Sequence, residues 1–183
     1  MRVAHRLGIR TFDLPTWHAN TLFVPRFDRR AGNGCVQRLH QESVASIAGL
    51  AGFGTQANQF ELLAAIRKVV DAPTDETIEF IRRDVLNLAM RNTDNHARNT
   101  AVQSVDGVVR LTPLFDFAPM YLDPEGVTRS ARWYHREIRK ELRHWTDILD
   151  HLALSDRERS QVVDALVRFG EQLETLPDCM REA

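Results

Sequence analysis

Residues 73–120 constrain the fold more than any other part of the chain. Pro73-Thr74-Asp75-Glu76 is a helix start, with its proline and its acidic residues in the first turn. Ile78, Ile81, Val85, Leu88 and Ala89 then recur at three- and four-residue steps, so one amphipathic helix runs to Arg91 with an apolar face turned inward. It breaks at a polar string, Asn92-Thr93-Asp94-Asn95-His96-Ala97-Arg98-Asn99. A strand pair around Val105-Asp106-Gly107-Val108 follows, and this hairpin returns the chain to Phe115-Asp116-Phe117-Ala118. Helix, loop, hairpin and acidic turn in this order bring Asp94, Asn99 and Asp116 towards one another and make the helix a central one. The fold class expected is α+β, mostly α-helical, with short β-hairpins.

Those three side chains suit one chemistry. A hydroxyl attacks phosphorus poorly unless a carboxylate orients it and accepts its proton. A nucleoside triphosphate arrives with Mg2+, a hard cation that takes carboxylate and amide oxygens. Asp94 fits the base, and Asn99 and Asp116 fit the metal ligands. Protein kinases set their base Asp five residues before a metal-binding Asn, with a second Asp in a later DFG turn. Asp94 and Asn99 reproduce that spacing, and Asp116-Phe117-Ala118 nearly matches the turn. The loop residues Asn92, Thr93 and Asp94 would equally serve as a plain helix end and Asx turn.

The strings RFDRR, RLHQES, NTDNHARN and LTPLFDFAPM, in this order, resemble the C-terminal region of the HipA family of bacterial toxin kinases, from Val3 to about Tyr121. The resemblance implies a protein-kinase-like C-lobe, with Asp94 as catalytic base, His96 as a further member of the catalytic string, and Asn99 and Asp116 holding Mg2+. It also implies that residues 25–28 form the hinge beside the adenine of ATP. Phe27 would line the pocket, the Pro25 carbonyl would accept from the adenine amino group, and Asp28 belongs to the same nucleotide-binding segment. HQES stands where the family has HQED, so Ser43 carries no ionic role. The partners implied are a protein substrate with a Ser or Thr hydroxyl and a small helix-turn-helix antitoxin that binds DNA.

Length and charge bound these readings. The 183 residues, 43% hydrophobic and 27% charged, suffice for one substantial core, and 1–183 reads as a single lobe. Within it, residues 1–40 are the hinge and hairpin region, and 41–183 the helical lobe with its catalytic loop at 92–99 and metal turn at 115–118. A net charge of −1 gives no global attraction to nucleic acid or to an anionic membrane, so no direct nucleic-acid contact is expected. Cys35 and Cys179 lack a metal-ligand spacing, and no apolar run approaches the ~20 residues of a spanning helix. MRVAHRLGIR lacks a signal-peptide apolar stretch, and a cytoplasmic location is expected.

Along the remaining chain, Val3 and Leu7 read as helix turns closed by Gly8. Thr11–Trp17 and Thr21–Phe27 read as a hairpin, and Cys35–His40 as a strand. Gln41-Glu42-Ser43 opens an apolar helix ending near Gly49 or Gly52, and the glycine-rich Gly49–Gly54 reads as a connector. Phe60–Val70 forms a helix with Leu62, Leu63, Ile66, Val69 and Val70 inward. Asp123-Pro124-Glu125-Gly126 makes a turn. The basic stretch Arg129–Arg143 reads as a solvated helix face, with a nucleic-acid patch or a site for an acidic substrate as its other readings. A helix at Trp145–Leu152 precedes another opened by a capping box at Ser155-Asp156-Arg157-Glu158, and the tail after Pro177 frays.

Only two lysines are present, Lys68 and Lys140, and neither stands upstream of the hinge, where a kinase N-terminal lobe keeps its phosphate Lys. The chain therefore reads as the helical lobe without its N-terminal lobe, with two readings open: a separate chain supplies that lobe, or the protein is a truncated, inactive relative. Three functions are compatible: an ATP- and Mg2+-dependent phosphotransferase of a toxin–antitoxin-like system, a non-catalytic partner-binding remnant of such a kinase, and a metal-dependent phosphohydrolase using Asp94, His96 and Asp116.

Overall fold

The computed structural model describes residues 1–32, 34–52, 55–120 and 126–181. Helix α1 (Arg2–Arg6) closes at Gly8, whose φ of +67° suits glycine and lets Gly8 and Ile9 donate back to His5 and Ala4. Two antiparallel hairpins follow, β1 (Thr16–His18) with β2 (Thr21–Phe23) and β3 (Arg29–Gly32) with β4 (Cys35–Arg38), and every residue in these four strands is exposed. The first hairpin turns at Ala19-Asn20, as expected, but its strands are shorter than the β-prone runs.

Strand β5 (His40–Ser43) is an edge of a three-stranded sheet of order β5-β7-β8, in which β7 (Ala101–Val105) is the middle strand and β8 (Val108–Leu111) the other edge. Here the expected helix start at Gln41 is corrected. Residues 41–43 pair with 101–103, and only then does Ser43 cap helix α2 (Val44–Ile47) by accepting from the Ser46 amide at 3.2 Å. Asp106 and Gly107 both have positive φ, the geometry of the two-residue turn that matches strand twist.

Helix α3 (Gln59–Arg67) follows the two-residue strand β6 (Ala57–Asn58), and α4 (Pro73–Ala89) crosses between two apolar clusters. Leu62, Leu63, Ile66, Phe80 and Ile81 belong to the larger, while Leu86 joins Val3, Leu7, Leu114 and Phe169 in the smaller. Burial on two sides brings Glu76, Glu79, Arg83 and Asp84 inside as well, and Leu88, expected inward, is exposed, as is Val69. The helix stops because Arg91 turns left-handed at φ +54°, after which Asn92 and Arg91 donate to Asn87 and Leu88.

The stretch 129–143 is not a helix. It forms β9 (Ala131–Arg132), parallel to β6, and a small pair, β10 (Tyr134–His135) with β11 (Lys140–Glu141). Trp133, almost fully buried among Phe60, Phe80 and Trp145, fixes this course. Helix α5 (Trp145–Asp150) and helix α6 (Asp156–Leu173) complete the core, the latter opened by the expected reciprocal cap between Ser155 and Glu158. The tail forms α7 (Leu176–Arg181), because Leu176 and Cys179 pack on the smaller cluster. Phe53-Gly54 and residues 123–125 of the expected turn lie outside the described residues. The architecture is thus a mixture of helices and small sheets.

Candidate functional site

Asp94, Asn99 and Asp116 line one cleft, together with Asn92, Asn95, Phe115 and the α4 residues Asp84 and Asn87. The cleft is narrow, with room for about 30 Å³ of water-sized occupants, the scale of an ion or a water and not of a whole nucleotide. The loop that holds Asp94 is fixed from several directions. Thr100 and Ala97 carbonyls accept from the first amides of α2, Val44 at 2.8 Å and Ala45 at 3.1 Å. Asn99 donates its side-chain amide to the Asp94 carbonyl at 3.1 Å, which fixes the amide plane and leaves its oxygen as the free, metal-capable end. Asp116 sits in the turn after β8 with φ +51°, an arrangement that Asp and Asn adopt at less cost than other side chains. Its carboxylate is exposed, and no ion pair or hydrogen bond to it exists among the described residues.

Two buried polar networks on α4 hold these pieces in place. In one, Arg10 grips Glu76 through both terminal nitrogens at 2.8 and 2.9 Å, Glu76 accepts from the Leu111 amide at 2.9 Å, and Arg83 joins Glu79 to the Thr112 carbonyl. The strand leading to Asp116 is thereby bolted to the helix. Burial pushes the Arg83 guanidinium down from its ordinary pKa, opposed by Glu79. In the other network, Asp84 accepts from Arg129, from the Trp133 indole at 2.9 Å and from Gln59 at 3.2 Å. Burial pushes the Asp84 carboxyl up, and Arg129 and the two neutral donors pull it down. Sequence reading missed both networks, and the available signal was four charged residues placed on a helix flanked by apolar positions on two sides.

The remaining expected residues lie around this cleft. His96 Nε2 is 3.6 Å from Asp94, and its ring also borders a smaller pocket with Ala45, Leu50 and Thr55. Phe27 does not line the cleft but packs on Phe115, ring centroids 5.8 Å apart, next to Asp116, and on Phe12. Its carbonyl accepts from Gln103 at 3.4 Å. Pro25 is half-buried at the same edge. Asp28 is held by Arg26 at 2.6 and 2.7 Å, which lowers its pKa to about 2, and its carbonyl takes the Leu39 amide. The basic stretch is largely paired internally: Arg129 with Asp84, Arg136 with Glu61, and Arg132 and Arg143 with Glu141.

A metal fits the donor set only in part of its shell. Among the described residues no cluster of three His, Cys, Asp or Glu exists, so Asn99 and Asp116 would leave coordination positions for phosphate oxygens and water, as Mg2+ prefers. No helix among the described residues is long and apolar enough to cross a membrane.

No curated protein sequence matches the chain. Among solved structures, the chain is similar to HipA from Shewanella oneidensis MR-1, in a complex of HipA, HipB and operator DNA. The TM-score is 0.72 at 20% identity, covering 100% of this chain and 47% of that one. The chain thus spans about half the length of that relative. Residues 1–173 match the profile of the HipA-like C-terminal domain, and the chain belongs to that family.

Proposed function

We propose that this chain is the catalytic-loop and metal-binding part of a Ser/Thr phosphotransferase that uses ATP and Mg2+ within a HipA-type toxin–antitoxin system. The observation that carries the reading is the convergence of Asp94, Asn99 and Asp116 on one cleft, with the Asn99 amide locked to the Asp94 carbonyl. In this reading Asp94 would accept the proton of the acceptor hydroxyl as the hydroxyl oxygen bonds to the γ-phosphorus, while the bond from that phosphorus to the β,γ-bridging oxygen breaks and ADP leaves. Asn99 and Asp116 hold Mg2+, which neutralises phosphate charge when bound. His96 stands beside the Asp94 carboxylate, 3.6 Å away. Phe27 and the Pro25 carbonyl meet the adenine, and Asp28 keeps the hinge in shape through Arg26.

The space in the cleft is too small for a whole nucleotide, so ATP would extend beyond it, and residues from another lobe would grip the α and β phosphates. Neither Lys68 nor Lys140 lines the cleft. The hairpin before the hinge exposes Trp17, Leu22 and Phe23, an apolar surface suited to contact with such a lobe. The partners proposed are that lobe and a HipB-like antitoxin through which DNA would be reached, with a cytoplasmic location. A cleft lined by neither lysine of the chain favours a second reading, a partner-binding remnant without transfer. Incubation with labelled Mg2+-ATP and a Ser/Thr protein substrate separates them: label on a hydroxyl amino acid supports the first, and antitoxin binding without any transfer supports the second.

A further inference from the structure

Asn95, directly after the proposed base, ties the loop to distant backbone through its side-chain amide. Its Oδ1 accepts from the Ser130 amide at 3.1 Å and the Ala131 amide at 3.2 Å, while its Nδ2 donates to the Ala131 carbonyl at 2.8 Å. Three of the four hydrogen-bonding capacities of the amide are thereby spent on one two-residue segment. That segment is itself immobilised. Ala57 donates to the Ser130 carbonyl at 2.9 Å, Ala131 is fully buried, and Arg129 and Trp133 on either side are tied to Asp84.

The Asp94 carboxylate, by contrast, has a single ionic neighbour among the described residues, His96 at 3.6 Å, which is too long a contact to fix its direction. Its aim is therefore set by its backbone, which Asn99 holds at the carbonyl and Asn95 holds one residue on. Resting on the functional reading above, we infer that Asn95 is a positioning residue: it clamps the loop to residues 130–131 and so aims Asp94 at the acceptor hydroxyl. A misplacement of about 1 Å is enough to cost ~10²-fold in such a reaction.

A control with the same chemistry exists. Asn58 also accepts from an amide, that of Phe60 at 3.1 Å, and donates to a carbonyl, that of Tyr134 at 2.9 Å, but does not line the cleft. The test compares Asn95→Ala and Asn58→Ala in the full chain, supplied with a lobe bearing the phosphate Lys. It reads Tm, the kcat and KM for ATP, and NMR amide exchange at Ser130 and Ala131. Both variants are expected to lose similar Tm. Only Asn95→Ala should lower kcat, by roughly 10- to 100-fold at unchanged KM, and only it should speed exchange at Ser130 and Ala131 by about tenfold or more. A kcat loss no larger than that of Asn58→Ala, or unchanged exchange, overturns the inference. If the parent chain transfers nothing even with the lobe, the functional reading falls. The exchange rates then judge the clamp by themselves, faster exchange supporting it and unchanged exchange removing it.

Discussion

The cleft and the hinge, joined by the contact of Phe27 with Phe115, are built in opposite ways. Around the cleft, Asp94, Asn99 and Asp116 are held by backbone hydrogen bonds to α2 and by two buried ionic networks on α4. Around the hinge, β1 to β4 form two exposed hairpins, and the ion pairs of Arg26, Asp28 and Arg30 are open to solvent. Isolated two-stranded hairpins are marginal in water. The groups that would do chemistry are thus preorganised by the chain's own core, whereas the groups that would seat the nucleotide base are not. Under the proposed function, reactivity would then lie with this chain and most of the nucleotide affinity with whatever covers the hinge.

The largest effect expected from this contrast is kinetic. Asp94→Asn should lower phosphate transfer by ~10²–10⁴ and leave Mg2+-nucleotide affinity close to the parent's, because the base acts on the acceptor. Single-turnover transfer and nucleotide titration check it. Simultaneous loss of both would make Asp94 a structural residue and dissolve the contrast.

Next in size is a stability difference between the two regions. Asp84→Ala leaves Arg129 buried without its carboxylate, and such a broken pair costs about 3–5 kcal/mol. Asp28→Ala, in the exposed hinge pair, should leave the denaturation midpoint near that of the parent. Urea unfolding of both variants measures this, and equal losses would show that the hinge is as integral to the core as α4.

A smaller change is expected at the metal. Asp116→Asn replaces a charged oxygen ligand with a neutral one and should weaken Mg2+-dependent nucleotide binding about tenfold, roughly 1.4 kcal/mol. Calorimetry with and without Mg2+ reads it, and unchanged Mg2+ dependence would take Asp116 out of the site.

The smallest effect is the pH response of the hinge. The Asp28 carboxyl, ordinarily near 3.8, is held at about 2 by Arg26. A depressed folded-state pKa means that its favourable contribution is complete above the ordinary value and fades as pH falls from there towards about 2. Arg26→Ala should raise the Asp28 titration, followed by NMR, towards the ordinary carboxylate range, with Arg29 at 3.5 Å still holding it somewhat down, and without shifting the cleft residues. Salt should do so in part, since Arg26 is exposed and Asp28 half-buried.

What the sequence disclosed was what neighbours decide. The Asp106-Gly107 turn, the Ser155 cap and the closure of α1 at Gly8 depend on residues a few positions apart, and all were readable. So was the order of Asp94, Asn99 and Asp116, which the structure places on one cleft. Contacts chosen by tertiary packing were not readable. Asp84 finds Arg129 45 residues away and Gln59 25 away, and Arg10 finds Glu76 66 away. A helical pattern treats each of these charges as solvent-facing. The basic stretch failed for the same reason: its charge spacing resembles a helix face, but burial of Trp133 and pairing of Ala131 with Ala57 draw it into strands. At residues 41–43, polarity suggested a helix start, and pairing with β7 overrode it.

The central claim, that this chain contributes the reactive groups and another lobe aligns the phosphates, is tested most directly by γ-phosphate transfer with the purified 183-residue chain. The assay is run alone and with a lobe carrying the Lys and glycine-rich turn. The account predicts little or no transfer by the chain alone, activity restored by the lobe, and loss of that activity in Asp94→Asn. Robust transfer by the chain alone, abolished in Asp94→Asn, would contradict it by showing that the phosphates need no second lobe.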